Sequence, residues 1–118
     1  MKEKHIEDCY KYTLKRLEEL STQYTEQVNN IEDFALWNLP TELCDDWCNI
    51  EYFIKVLYDN KKIDDDIKDI LVQIYDNFKK CSNEDEFTHN SMKYSEFWAK
   101  QRKLAKKALE LKIGRAHV

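Results

Sequence analysis

Glycine is almost absent from this 118-residue chain: Gly114 is the only one, so residues 1–113 contain none. Phosphate-binding loops, dinucleotide-binding turns and nucleophile elbows use glycine because their backbone must turn tightly or approach a ligand closely. Two-residue hairpin turns need positive φ angles, which glycine adopts most easily. The absence argues against the enzyme classes built on these loops and against hairpins. It favours helices joined by loops rich in Asn, Asp and Ser.

Long apolar runs are also absent. The chain has no stretch of about 18 apolar residues, so we expect no transmembrane helix. It opens with Met1-Lys2-Glu3-Lys4-His5, in which every residue after Met1 is charged or polar, and it lacks the apolar stretch of a signal peptide. Hydrophobic residues nevertheless make up 42% of the chain and aromatic residues 13%, which is too much for a disordered protein. We therefore expect one cytoplasmic domain with its own hydrophobic core.

The last six residues, 113–118, read Ile-Gly-Arg-Ala-His-Val. One reading frame of a widely used sequencing adapter gives the same six residues and places a stop codon directly after them. We interpret residues 113–118 as an adapter-derived tail that is not native, and residues 1–112 as the helical domain. The codon of Lys112 is partly adapter. His117 and Arg115 are accordingly excluded from any site.

Cysteines are few and are spaced poorly for a metal site. Zinc ligands usually come as two close pairs, whereas only Cys44 and Cys48 are close here, and Cys9 and Cys81 stand alone. A cytoplasmic protein also keeps its thiols reduced. We expect the four cysteines to pack as small hydrophobic residues, and we expect neither a metal nor a cofactor.

Apolar residues recur every three or four positions, which predicts amphipathic helices. The first helix is predicted from about Glu3 to Asn29, and a short apolar passage, Ile31 to Leu39, follows it. Asn38 is predicted to cap a second helix that carries Pro40 in its first turn, where a missing N–H is harmless. The core-facing stripe of this second helix continues to about Asn60.

The second half of the chain predicts two further helices. Asp64 is a strong N-cap candidate for the third, whose apolar stripe extends to Phe78. A polar loop is predicted over residues 81–90, and Ser91 or Ser95 is predicted to start the last helix. Its inner face is predicted to hold Tyr94, Phe97, Trp98, Gln101, Leu104, Ala105, Ala108 and Leu111. No segment alternates as a strand does, so we predict an all-α, single-domain bundle of four principal helices with short loops, antiparallel neighbours and no sheet.

Charge is distributed unevenly along the chain. Residues 32–86 contain fifteen acids and six bases, a balance of −9, whereas residues 87–118 contain eight bases and two acids, a balance of +6. Solvated helix faces explain part of this pattern, and helix dipoles favour acids in first turns. The starts of the second and third helices still concentrate more negative charge than capping requires. The acids at these two starts are Glu42, Asp45, Asp46, Asp64, Asp65 and Asp66.

The sequence gives little support for a catalytic site. His5 lies near the start of the chain, His89 lies in the polar loop, and no Glu-x-x-His motif of a di-iron bundle occurs. Asp45 and Asp46 are consecutive, so they point to different helix faces and cannot act as a facing pair. We therefore expect no enzymatic activity.

Nucleic acid is not the expected partner either. The last helix is basic, but the acidic middle of the chain would repel phosphates, and no recognisable nucleic-acid-binding module accompanies the basic residues. These basic residues are Lys100, Arg102, Lys103, Lys106 and Lys107.

Two passages are similar to known proteins. One reads Trp37-Asn38-Leu39-Pro40-Thr41-Glu42-Leu43 and is followed by Asp45-Asp46-Trp47. The other reads Phe97-Trp98-Ala99-Lys100-Gln101-Arg102-Lys103-Leu104-Ala105. Both resemble small helical immunity proteins of bacterial polymorphic-toxin and contact-dependent inhibition systems. Cys44 and Cys48 depart from that pattern, which has small aliphatic residues there. The resemblance implies a cytoplasmic antitoxin without catalysis that binds and blocks one cognate toxin domain.

The charge pattern fits such a role, because many toxin domains are nucleases whose basic clefts an acidic helical surface can occupy. Aromatic residues beside the acids would supply the anchors of binding energy; Tyr52, Phe53 and Tyr58 are the candidates. The predicted partner-binding residues are Glu42, Asp45, Asp46, Tyr52, Tyr58, Asp64, Asp65 and Asp66. Antiparallel connections could instead separate the two helix starts, and one cluster would then act with the loop acids Glu84, Asp85 and Glu86. The alternative function is an intracellular adaptor or regulatory bundle that binds another protein.

Overall fold

The computed structural model describes residues 2–22, 39–81 and 86–116, with side chains as far as Leu111. These ranges contain six helices and no strand: α1 Glu3–Ser21, α2 Leu39–Cys48, α3 Glu51–Asp59, α4 Asp65–Lys80, α5 His89–Tyr94 and α6 Glu96–Ala116. The prediction of an all-α fold is confirmed. The predicted count of four principal helices does not match, because the second predicted helix is divided and the short helix α5 lies between the predicted polar loop and α6.

The first helix ends earlier than predicted. Thr22 already has extended backbone angles (φ −79°, ψ 156°). Two hydroxyls compete for the last carbonyls of the helix, since Ser21 Oγ donates to the Glu18 carbonyl and Thr22 Oγ1 donates to the Glu19 carbonyl, both at 2.9 Å. Such local side-chain bonds satisfy carbonyls that a longer helix would use. The predicted continuation to Asn29, the apolar passage from Ile31 and the Asn38 cap lie outside the described residues.

The second predicted helix is two helices, α2 and α3, with a turn at Asn49 and Ile50 between them. Asn49 Nδ2 donates to the Asp45 carbonyl at 2.8 Å, while the backbone N–H groups of Asn49 and Ile50 donate three residues back, to Asp46 and Trp47. The asparagine side chain and these tighter bonds replace the regular i→i−4 ladder. Ile50 keeps right-handed angles (φ −77°, ψ −15°), so α3 continues after the turn.

Two predicted helix starts are confirmed by their capping bonds. The Asp64 side chain accepts from the Ile67 backbone N–H at 3.0 Å and caps α4. Ser95 Oγ accepts from the Phe97 N–H at 3.1 Å at the start of α6. Ser91 belongs instead to α5, whose cap is Thr88.

The core lies between α1, α4, α6 and the α2–α3 pair. α1 packs against α3 and α6, and α4 packs against α2, α3 and α6. Trp47 and Trp98 are fully buried, and the buried Gln101 is satisfied because its amide donates to the Phe97 carbonyl and its Oε1 accepts from Asn77. None of the helices in the described part is long and apolar enough to cross a lipid bilayer.

The predicted inner face of the last helix needs one correction, at Tyr94. This side chain is 72% exposed, because Tyr94 ends α5 and precedes the Ser95 break, so it does not share the register of α6. On α6, Trp98, Ala105 and Ala108 are buried with Gln101, as predicted. The other three predicted members are half-buried: Phe97, Leu104 and Leu111.

The end of α3 shows how the chain turns where no glycine is available. Lys61 has φ 59°, in the left-handed region. Its N–H donates to the Tyr58 carbonyl, and the Lys62 N–H donates to the Leu57 carbonyl at 2.8 Å. This bond pair is the Schellman motif, in which glycine usually occupies the left-handed position. Lysine there carries a steric cost that glycine does not.

Lys61→Gly should therefore stabilise the protein. Removing the left-handed strain should raise the free energy of unfolding by about 1 kcal/mol after the greater unfolded-state freedom of glycine is included, which corresponds to an increase of about 4 °C in Tm. Thermal and urea unfolding measure both quantities. Lys62→Gly is the matched control and should lower the Tm, since Lys62 is not in the left-handed region.

Candidate docking surface

Aromatic rings of α1 and α3 meet at the surface. The Tyr12 and Phe53 rings stack with centroids 4.3 Å apart, and the Tyr52 ring meets the Phe53 edge at 5.6 Å. Tyr52 Oη lies 2.8 Å from His5 Nε2, within hydrogen-bond distance. Tyr52 remains 50% exposed. The ring is thus held by its neighbours while half of its surface stays available to a partner.

Arg16 ties α1 to the acids of α2. Its Nε lies 2.7 Å from Glu19 Oε1, its Nη1 lies 3.5 Å from Asp46 Oδ2, and its guanidinium carbon lies 4.7 Å from the centre of the Tyr12 ring. Burial raises the pKa of both Glu19 and Asp46 above the ordinary value, although Arg16 acts in the opposite direction. The Asp46 carboxylate therefore contributes to the contact between α1 and α2.

Glu42 and Asp45 are the exposed acids of this cluster. Glu42 and Asp45, at i and i+3, lie on one side of α2, and Asn49 and Tyr52 follow them in the turn and in the first turn of α3. All four side chains are exposed. We call Glu42, Asp45, Asp46 and Tyr52 the α2–α3 face. It combines exposed negative charge with a fixed aromatic ring.

The other predicted cluster, the acids Asp64, Asp65 and Asp66 with Tyr58, lies at the start of α4. Tyr58 Oη donates to Asp65 Oδ1, Lys68 Nζ lies 4.0 Å from the centre of the Tyr58 ring, and Asp64 is the N-cap. Asp66 occupies the first turn of α4 with Asp65. These groups have structural roles in the start of the helix, where acids also complement the helix dipole.

The two clusters are separated because α3 and α4 are antiparallel. Tyr58 meets Asp65 at the start of α4, whereas Glu51 accepts from Tyr75 Oη at 2.8 Å near its end. α2 precedes α3 and also packs on α4, so Glu42 lies toward the end of α4. Sixteen residues of α4 correspond to about 24 Å. One partner contact of ordinary size would centre on one cluster.

The loop acids proposed as additional contacts are only partly described. Glu84 and Asp85 lie outside the described residues. Glu86 anchors the start of α6: its carboxylate accepts from Ser95 Oγ at 2.6 Å, and its carbonyl accepts from Trp98 Nε1 at 2.6 Å. Glu86 therefore has a local structural role.

Cys9 lies in the core, and Cys44 and Cys48 pack against it. Cys44 and Cys48 have their sulfurs 3.8 Å apart on adjacent turns of α2. Burial, followed by the neighbouring Cys48, raises the pKa of Cys44 to about 12, so this thiol stays protonated at neutral pH. In the described part of the chain, no three His, Cys, Asp or Glu side chains are grouped closely enough to hold a metal ion.

Sequence reasoning missed the contribution of α1 to this surface. His5, Tyr12 and Arg16 all contact residues of α2 or α3. The spacing of Tyr12, Arg16 and Glu19 at i, i+4 and i+7 signals one helix face. It does not reveal which helix lies opposite, because that depends on the packing of distant segments.

Comparisons with known proteins, by protein-family models, curated sequences and solved structures, gave no match to this chain.

Asp46→Asn should change the pH dependence of stability. Because burial raises the pKa of Asp46 in the folded state, ionising its carboxylate lowers the free energy of unfolding. This loss develops as pH rises from the unfolded-state pKa through the folded-state pKa, and it is absent below the unfolded-state pKa. The variant should thus gain stability relative to the wild type at pH 7, and the gain should shrink toward pH 3. Urea unfolding at both pH values measures it. A difference that grows on acidification would contradict the assignment.

Proposed function

We propose that this chain is a non-enzymatic immunity protein that binds and blocks a cognate bacterial toxin domain in the cytoplasm through its acidic helical surface. The observation that carries the proposal is the α2–α3 face, which combines the exposed acids Glu42 and Asp45 with the half-exposed Tyr52. The resemblance of residues 37–47 and 97–105 to immunity proteins supports the same role.

The chemistry of this face suits a basic partner. Acids on the rim attract a positively charged cleft and accelerate association. Tyr52 can then bury its exposed half, and a large ring already held by Phe53 and His5 loses little freedom when it binds. A nuclease is the toxin class that this chemistry favours, because its cleft must attract phosphates. An inhibitor occupying that cleft needs no catalytic group.

An intracellular adaptor is the alternative. Its supporting observation is a second surface, a cleft of about 280 Å³ that runs between α3 and α4 from Tyr58 and Lys68 to Glu51 and Tyr75. Acids of both helices also line this cleft. Two surfaces would allow one chain to connect two proteins, which an inhibitor does not require.

Co-expression distinguishes the two functions. Each open reading frame adjacent to this gene is expressed in a bacterial host, alone and with this chain, and growth is recorded. The immunity proposal predicts that one neighbour arrests growth and that this chain restores it. The adaptor alternative predicts no growth arrest from any neighbour. A neighbour whose toxicity this chain leaves unchanged would overturn the immunity proposal.

Charge reversal on the α2–α3 face should slow binding. The double variant Glu42→Lys and Asp45→Lys should reduce the association rate with the growth-arresting partner about tenfold or more at low salt, and the difference should shrink as salt screens the charges. Asp66→Lys with Asp69→Lys, at the other end of α4, makes the same change in net charge and is the matched control. Stopped-flow or surface-based kinetics measure both rates.

Equal slowing by the two double variants would mean that net charge alone steers the encounter. Slowing by the control pair only would move the docking surface to the start of α4. Either result would contradict the assignment to the α2–α3 face. Circular dichroism checks that both variants keep the wild-type helix content.

A further inference from the structure

Basic side chains form a separate face on α6. Lys100, Lys103, Lys106 and Lys107 are all exposed. Positions 100, 103 and 107 follow the i, i+3, i+7 spacing of one helix face, and position 106 lies beside them. They extend over about 10 Å of the helix axis. Between Lys100 and Lys107 this face contains no acid.

Among the described residues, this face borders an open groove of about 630 Å³. The groove lies between the C-terminal end of α1, at Ser21, and α6, where Lys100, Lys103 and Lys106 line it with Arg102. Arg102 donates to the Met92 carbonyl and so holds α5 against α6. Within the described part of the chain, the lysines make no comparable contact. Glu96 lies in the same groove, at the start of the face rather than among the lysines.

The structure separates this basic face from the acidic one. α6 packs mainly against α1, α4 and α5, and the α2–α3 pair packs on the other sides of α1 and α4. Neighbouring helix axes are about 8–10 Å apart, so diagonal ones are about 11–14 Å apart and their outward side chains are further apart. The Debye length at physiological salt is about 8 Å. The acids of the α2–α3 face therefore hardly weaken the field of the lysines, so repulsion by these acids does not prevent phosphates from binding this face.

We infer that the Lys100–Lys107 face of α6 binds the phosphate backbone of nucleic acid without reading its sequence. Lysines alone can bind a polyanion, because the release of condensed counterions drives the association. An acidic protein partner would need apolar or aromatic anchors to bury, whereas this face offers lysines, the half-buried Leu104 and, about one turn after Lys107, the acid Glu110. The inference concerns a surface on the opposite side from the proposed toxin contact and does not depend on it.

Fluorescence anisotropy with a labelled 20-nucleotide single strand, as DNA and as RNA, tests this inference. Three to four phosphate contacts predict a slope of about −2 to −3 for the logarithm of the binding constant against the logarithm of salt concentration. Binding should therefore weaken about 15- to 50-fold between 50 and 200 mM salt. DNA and RNA should bind about equally, since no base or 2′-OH is read.

The variant Lys103→Glu with Lys107→Glu should lose at least about tenfold in affinity at 50 mM salt, and Lys103→Gln with Lys107→Gln should lose less. Lys55→Glu with Lys80→Glu carries the same net charge change on exposed lysines of α3 and α4, and it should bind much as the wild type does. Circular dichroism confirms folding of each variant.

Three outcomes would overturn the inference. No binding at 50 mM salt would exclude a phosphate-binding face. Equal losses in the α6 and control variants would show that net charge rather than this face is responsible. If poly-glutamate displaces the labelled strand and binds the protein equally tightly, the face would be assigned to acidic proteins instead.

Discussion

Replacing Tyr52 with alanine should weaken binding of the proposed toxin partner by about 30-fold or more. Aromatic anchors at the centre of an interface typically contribute 2 kcal/mol or more on truncation, and about 1.4 kcal/mol corresponds to a factor of ten in affinity. The loss should appear mainly as faster dissociation. Because Tyr52 is 50% exposed, the variant should fold. Isothermal titration calorimetry and dissociation kinetics measure the effect.

Tyr94→Ala is the matched control for this prediction. Tyr94 is the other strongly exposed aromatic residue in the described part of the chain, with 72% of its surface accessible, and it lies on α5 rather than on the α2–α3 face. Its truncation should leave affinity unchanged within about twofold. A larger loss of affinity from Tyr94→Ala than from Tyr52→Ala would place the interface at α5 and contradict its assignment to the α2–α3 face.

Replacing Trp98 with alanine should give the largest loss of stability. Its ring is fully buried, lies 5.4 Å from the Phe78 ring and 5.7 Å from the Phe97 ring, and its Nε1 donates to the Glu86 carbonyl. Truncating a buried tryptophan costs about 3–5 kcal/mol, which is much of the total stability of an ordinary domain. Urea unfolding followed by circular dichroism measures the loss.

A comparison of the two buried tryptophans isolates the hydrogen bond. Trp47 is buried as completely as Trp98, but its Nε1 has no hydrogen-bond partner among the described residues. Trp47→Phe and Trp98→Phe remove the same atoms, but only Trp98→Phe leaves the Glu86 carbonyl without its hydrogen-bond donor. Trp98→Phe should therefore destabilise by about 1–2 kcal/mol more. Equal losses in the two variants would contradict the role assigned to this bond.

Local features of the fold could be predicted from the sequence. Asp64 and Ser95 begin helices because a short polar side chain can accept from a backbone N–H two or three residues later, and this depends on neighbouring residues alone. The end of the second predicted helix at about Asn60 also agrees with the end of α3 at Asp59. The left-handed angle of Lys61 could not be predicted, since the absence of glycine gives no sign of which residue will adopt it.

The break at Asn49 could not be read from hydrophobic periodicity. Trp47, Ile50 and Ile54 are all buried, and they keep helical spacing across the turn, so the apolar stripe looks continuous. Tyr94 shows the same limitation: its spacing to Phe97 and Trp98 fits the α6 stripe, but the Ser95 break changes its direction. A break that preserves spacing leaves no trace in the hydrophobic pattern.

The candidate surface was predicted in composition but not in arrangement. Charge counting identified both acidic helix starts. It could not assign Asp46 to Arg16, because that contact joins residues thirty positions apart on different helices. Nor could it separate the α2–α3 face from the start of α4. Both facts depend on the antiparallel packing of α3 and α4, which brings Tyr58 to Asp65 and Glu51 to Tyr75.

The most direct test is a titration of toxin activity in vitro. The neighbour that arrests growth in the co-expression experiment is purified, its activity is assayed on its substrate, and this chain is added in increasing amounts. The account predicts that activity falls to background at one equivalent, and that the Tyr52→Ala chain requires about 30-fold or more higher concentration when the toxin is dilute. Full toxin activity in the presence of a large excess of this chain would contradict the account.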